Sequence, residues 1–250
     1  MIYITGDTHG QFDKLYFLES SMDDHKIKQE NYLIICGDFG GIWTGTEEEL
    51  STLKKEFCFP FKVLFVSGNH ENYDALEKYP VTEWQGAKVQ YISENIIHLM
   101  RGQIYEIQGK KFFTFGGAAS RGIADGILEP DDPNFKEKFK KLYDSHALFR
   151  VNHQSWWKQE LPTQAEMDEG LRNLTEHNNT VDYIITHCAP TTVQYAFGLD
   201  NYEKDILTEY LEQIKKNVSF EHWFYGHYHK DRTIYNKFTC VCDSVIELPE

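Results

Sequence analysis

Eight polar side chains carry most of the chemistry this chain can do. Asp7 and His9 stand in Gly6-Asp7-Thr8-His9-Gly10, and Asp38 in Gly37-Asp38-Phe39-Gly40-Gly41. Asn69 and His70 stand in Gly68-Asn69-His70-Glu71, His187 in His187-Cys188-Ala189-Pro190, and His227 and His229 in Gly226-His227-Tyr228-His229. Carboxylates, imidazoles and one amide oxygen form a mixed N/O donor set. Such a set suits Mn, Fe or Zn rather than calcium, and no thiolate cage accompanies it. Singly, each residue has a plainer use: Asp7 as a turn residue, Asp38 as a helix cap, His187 as a capped or solvated histidine. Their weight comes from recurrence, because every cluster follows a short apolar run.

Those runs are the elements that must position the clusters. Ile2–Thr5, Leu33–Cys36, Val63–Ser67, Tyr183–Thr186 and Trp223–Tyr225 read as buried strands. Amphipathic stretches at Phe12–Ser20 and Thr46–Phe57 read as crossover helices, the second opened by a capping box, Thr46-x-x-Glu49. Strand–helix–strand units imply a parallel sheet. In such sheets ligands bind beyond the carboxyl ends of the strands, where glycines allow sharp turns and close approach.

From about Lys88 the pattern changes. Val89–Ile92, Ile96–Met100, Gln103–Ile107 and Lys111–Phe115 predict a more antiparallel sheet, with a turn at Gly109-Lys110. Residues 119–157 read as an irregular, partly helical insertion over one end of the sheets. A capping box at Thr163-x-x-Glu166 opens a helix to about His177. Tyr202–Asn217 predicts a helix, and Thr233–Cys242 a closing hairpin around Asn236-Lys237. No repeat, low-complexity stretch or linker divides the 250 residues, which points to a single domain.

The five clusters, in this order between residues 6 and 229, resemble the calcineurin-like metallophosphoesterase superfamily, in an uncharacterised bacterial or phage-like branch. The resemblance implies an α/β fold: a four-layer αββα sandwich of two mixed β-sheets flanked by helices. It implies two divalent metal ions, with Mn²⁺ the first expectation and Fe or Zn the others. Asp7, His9 and His229 would hold one ion, Asn69, His187 and His227 the second, and Asp38 would bridge them. Hydrolysis of a phosphate monoester or diester by a metal-bridging hydroxide is the implied reaction. His70 would serve the leaving group as general acid. The other histidines (His25, His98, His146, His153, His177 and His222) have no motif and read as structural or surface residues.

One departure matters. Protein Ser/Thr phosphatases of this superfamily extend the second cluster to Gly-Asp-x-Val-Asp-Arg, whereas this chain has Gly41 and Ile42 at the Asp and Arg positions. An aliphatic side chain cannot replace a bidentate phosphate clamp. A protein phosphatase is therefore the second reading, and a non-catalytic interaction module, which predicts missing ligands, the third. Arg121 and Arg150 are the candidates for a substitute clamp. The Trp156-Trp157 pair reads as core or lid packing before base stacking.

Composition sets the outer limits. The net charge of −14 disfavours non-specific nucleic-acid binding. No segment approaches the ~18 apolar residues of a membrane span. Five cysteines without metal or disulfide spacing fit a cytoplasmic protein. The expected partner is a phosphorylated small molecule, a nucleotide or a phosphoprotein.

Overall fold

β1 (Ile2–Thr5) is buried at all four positions, so it reads as an unbroken apolar run rather than an alternation. A computed structural model describes residues 1–198 and 203–249. The following strands are β2 (Tyr32–Ile35), β3 (Lys62–Phe65), β4 (Val81–Trp84), β5 (Ala87–Tyr91), β6 (Ile96–Leu99), β7 (Gln103–Ile107) and β8 (Lys110–Phe115). Then come β9 (Ile127–Leu128), β10 (Arg150–Val151), β11 (Tyr183–Thr186), β12 (His222–Tyr225), β13 (Arg232–Ile234), β14 (Phe238–Cys240) and β15 (Val245–Glu247). The helices are α1 (Asp13–Ser21), α2 (Asp24–Ile27), α3 (Glu47–Glu56), α4 (Tyr73–Leu76), α5 (Phe135–Asp144), α6 (Gln164–Glu176), α7 (Thr191–Ala196) and α8 (Ile206–Asn217).

Two mixed sheets result. The first has the order β15-β1-β2-β3-β6-β5-β4 and the second β13-β14-β12-β11-β8-β7. Alternate residues of each strand face opposite ways. Ile2, Ile4, Ile34 and Leu64 meet Phe112, Ile185 and Phe224 of the second sheet in a core between the sheets. Tyr3, Leu33, Ile35 and Val63 face outward and are covered by Leu15 and Leu18 of α1 and Leu53 of α3. On the far side, Phe113, Ile184 and Trp223 pack under Met167 and Leu174 of α6 and Leu207, Leu211 and Ile214 of α8. The architecture is the four-layer αββα sandwich. Each buried aliphatic or aromatic side chain contributes ~1.5–3 kcal/mol.

Several local expectations change. The strands between 87 and 115 do pair antiparallel, β5 with β6 and β7 with β8, but they divide between two sheets: β6 joins the first parallel to β3, and β8 joins the second, where β8, β11, β12 and β14 run parallel. The β7–β8 turn falls on Gln108-Gly109, both at positive φ, one residue earlier than expected. Thr46 caps α3 through the Glu49 N–H, but the Glu49 carboxylate accepts from Trp43, Thr44 and Gly45 N–H groups instead of closing the box. At Thr163 and Glu166 the box is complete. The helix expected from Tyr202 begins at Ile206, and Tyr202 lies outside the described residues. The insertion comprises α5 and a two-stranded parallel pairing of β9 with β10. No helix among the described residues is long and apolar enough to cross a membrane.

Candidate metal centre

The adjacent parallel strands β1, β2 and β3 deliver Asp7, Asp38 and Asn69 at their carboxyl ends. β11 and β12, side by side in the facing sheet, deliver His187 and His227. The first two loops are locked together: Thr8 and His9 N–H groups donate to the Asp38 carbonyl at 3.1 and 2.8 Å.

The glycines preceding the ligands have a common cause. A Cβ at Gly37 would lie 2.2 Å from His187 Nδ1, at Gly68 2.0 Å from Asp38 Oδ1, and at Gly226 2.1 Å from Asp7 Oδ1. Each loop therefore leaves space for a ligand supplied by another. His9, Asp38, His227 and His229 themselves hold φ between 47 and 67°. Non-glycine residues in that region cost about 1 kcal/mol or more each, a strain that functional sites commonly carry.

Two clusters form. In one, His9 Nε2 and His229 Nε2 are 3.1 Å apart, and Asp7 Oδ2 lies 3.0 Å from His229 Nε2 and 3.7 Å from His9 Nε2. In the other, His187 Nε2 is 3.1 Å from Asn69 Oδ1 and 3.4 Å from Asp38 Oδ2. Asp38 lies between them, its Oδ2 also 3.8 Å from His9 Nδ1. The His187 and His227 rings meet edge to face at 5.0 Å. His70 sits beside the pair of clusters, its ring 5.5 Å from that of His9 and its backbone N–H donating to Asp38 Oδ1 at 2.7 Å.

The electrostatics fit cations. Burial acts to lower the His187 pKa, but Asp38 and Asp7 outweigh it and raise it to about 9. Burial likewise acts to raise the Asp7 and Asp38 carboxyls, yet both lie below the usual range because His187 faces them. His187 Nδ1 is 2.8 Å from the Cys36 carbonyl, which directs Nε2 toward Asn69 and Asp38. Burial, with His187 alongside, takes His227 down to about 3, so it offers a lone pair. His70 is also lowered, first by burial and against the opposing charge of Asp38. The proton that the two carboxylates hold on His187 stands where a cation would, and imidazoles with converging carboxylates are the donor set of an N/O metal site.

Several supporting residues had gone unassigned in the sequence. Ser120 Oγ donates to Glu160 Oε2 at 2.5 Å, and Asn69 Nδ2 donates to Ser120 Oγ at 3.4 Å. Glu160 Oε1 also accepts from Ser120 N–H at 2.8 Å and Trp156 Nε1 at 2.9 Å. The chain of donors turns Asn69 Oδ1 toward His187. Glu71 holds the Asp38 loop by accepting from Phe39 N–H at 2.7 Å. Lys14 Nζ donates to the carbonyls of Asp7 at 2.7 Å and Cys242 at 2.6 Å, tying the first strand end to the last loops. A strand-end signal marked Glu71, but Glu160, Ser120 and Lys14 have none.

The arginines separate. Arg150 is half-buried on β10, its Nε enclosed without a hydrogen-bond partner among the described residues, and its charge is felt at His70 and Glu160. Arg121 is exposed, on a cleft of about 590 Å³ that His227 and Ser120 also line. Ile42 is buried in the core beneath α1 and α3, far from any clamping role. Trp157 is buried and donates to Asp74 Oδ2 at 2.7 Å, so it packs the insertion, whereas Trp156 is half-buried and holds Glu160.

A family model described as calcineurin-like phosphoesterase matches residues 1–231. The lariat debranching enzyme of Drosophila pseudoobscura pseudoobscura is 21% identical over 266 positions, which cover 91% of this chain and 42% of that protein. The chain thus spans less than half of that relative. An uncharacterized protein of Haemophilus influenzae is 24% identical over 243 positions, covering 95% of this chain and 87% of that one. A phosphopantetheinyl hydrolase structure from Mycobacterium tuberculosis aligns over 96% of this chain and 89% of its own, with a TM-score of 0.42 and 13% identity.

Proposed function

This chain belongs to the calcineurin-like phosphoesterase family, and from that premise we propose that it hydrolyses the phosphate ester of a small molecule or nucleotide at a dinuclear metal centre. The observation that carries this is that side chains from five strand ends meet in two adjoining groups, Asp7 with His9 and His229, and Asp7 and Asp38 with His187, with Asn69 on His187 and the His227 ring packed against it. Asp7, His9 and His229 would hold one ion and Asn69, His187 and His227 the other, with Asp38 shared. When bound, the ions neutralise the phosphoryl oxygens and lower the pKa of water. Mn²⁺ is our first choice, then Fe or Zn.

The chain's own groups complete the reaction. His70 belongs to neither cluster and stands next to both, where a ring N–H stabilises charge on the departing oxygen. Its depressed pKa makes it the stronger acid when protonated. Arg150 binds the substrate's phosphoryl group: its charge is felt at His70, and its Nε has no hydrogen-bond partner among the described residues. Arg121 contacts the rest of the substrate at the lip of the 590 Å³ cleft, a volume that suits a small molecule. The burial of Ile42 speaks against a protein phosphatase, and the complete ligand set against a non-catalytic module. The five free cysteines accord with a cytoplasmic setting.

The test is hydrolysis of p-nitrophenyl phosphate and bis-p-nitrophenyl phosphate with added Mn²⁺. Metal-dependent release of nitrophenolate from either is expected, and monoester-only turnover would remove a diesterase. Silence on both, with two metals bound per chain, would overturn the proposal.

A further inference from the structure

A second cavity, of about 950 Å³, opens on the other side of Glu160 from Asn69. It lies between the outer face of the first sheet, α4 and the strap of residues 152–163. Tyr73, Leu76, Met100, Trp156, Leu161 and Pro162 give it apolar and aromatic walls. None of the seven candidate metal ligands lines it. The strap is tied down over it by Trp157 and His153 on Asp74 and by Gln159 on Glu77 at 3.0 Å.

The charges of its walls are already matched. Arg101 pairs with Glu166 at 3.3 Å and donates to the carbonyls of Gln159 and Glu160. The Glu160 carboxylate is taken up by Ser120 and Trp156. Glu77 and Lys158 are exposed at the rim. A charged ligand would find no unanswered counter-charge inside.

One buried group does remain unanswered. Gln90 Nε2 donates to the carbonyls of Leu76 and Tyr79, both at 2.9 Å, which fixes the orientation of that amide. Gln90 Oε1 therefore faces His98 Nδ1 at 2.8 Å, so Nδ1 carries the proton and Nε2 the lone pair. His98 is 8% exposed, lines the cavity and has no hydrogen bond to Nε2 among the described residues. Burial, then the charge of Arg101, takes the ring's pKa down to about 3, so it stays neutral. A cavity of this size with apolar walls and a few fixed polar groups is what a small organic ligand requires.

We propose that this cavity is a binding site for a small, neutral, aromatic molecule that donates an N–H or O–H hydrogen bond to His98 Nε2. The site is separate from the phosphoester centre and does not depend on the reaction proposed for it.

Indole serves as the probe and 1-methylindole as its match without the donor, each titrated against the full chain by NMR. Indole should bind saturably at one site, with shifts confined to residues lining the cavity. 1-Methylindole should bind about fivefold more weakly, the loss of one hydrogen bond. His98→Phe, which keeps the ring stacked on Phe65, should bind the two probes equally, and Leu161→Trp, which intrudes on the wall of the cavity, should weaken both. The proposal is overturned if indole does not saturate, if its shifts map elsewhere, or if the wild-type chain binds both probes equally well.

Discussion

His9 Nε2 and His229 Nε2 lie 3.1 Å apart although 220 positions separate them in the chain. Two ring nitrogens at that distance, beside one carboxylate oxygen of Asp7, need a shared cation or a shared proton. Metal should therefore stabilise the fold. At a hundredfold excess over Kd, Mn²⁺ should add about 2.7 kcal/mol, visible as a rise in Tm that EDTA reverses. His229→Ala should lower bound metal from two ions per chain to one by elemental analysis. A Tm that ignores both metal and chelator would contradict the assignment.

His70 should separate binding from turnover. His70→Ala is expected to retain both ions and lose about 10²–10⁴-fold in kcat, the range for a positioned acid. Normal turnover by the variant would remove His70 from the mechanism.

Glu160 is expected to act through Asn69. Glu160→Gln keeps the shape but weakens the acceptor for Ser120, so Asn69 Oδ1 is less firmly aimed. Metal affinity should fall by about 10–100-fold, the usual effect of a residue that orients a ligand. The loss should fall on one of the two ions, whereas a merely structural defect would lower both affinities and the Tm together. Equal weakening of both ions would count against the positioning role.

His98 sets an acid limit on stability. Its ordinary pKa is ~6.5, and in the fold it is about 3. Between those values the unfolded chain takes up a proton that the folded chain refuses, so stability falls as pH drops through 6.5. The slope is at most about 1.4 kcal/mol per pH unit, and it levels off once pH is below 3. Chemical denaturation between pH 4 and 7 should show a flatter profile for His98→Phe than for the wild type. Identical profiles would place the pH dependence elsewhere.

The candidate ligands were legible because each is written next to the strand that delivers it. An apolar run, a glycine and a polar residue are adjacent in sequence, so local pattern suffices. Gly37 shows the limit even there: the motif displays the glycine, but only the fold shows that His187 occupies the space its side chain would take. Glu160 and Ser120 are 40 residues apart, in irregular segments with no periodicity, so nothing local links them to Asn69. Which sheet each strand between 87 and 115 joins was not legible for a related reason. Strand direction depends on crossovers through α6 and α8, and short buried runs look alike in either orientation. β15 was missed because three residues near a chain end carry too little pattern, yet it pairs with β1 through Thr5 and Val245.

That last pairing has a bearing on timing. β1 carries Asp7 and is flanked by β2 on one side and by β15 on the other, and Lys14 ties the Asp7 carbonyl to that of Cys242. Some 240 residues separate β1 from β15 in the chain, so one of the two strands that flank the Asp7 strand is made long after it. β15 supplies none of the candidate ligands, yet it closes the sheet edge beside the strand that carries Asp7.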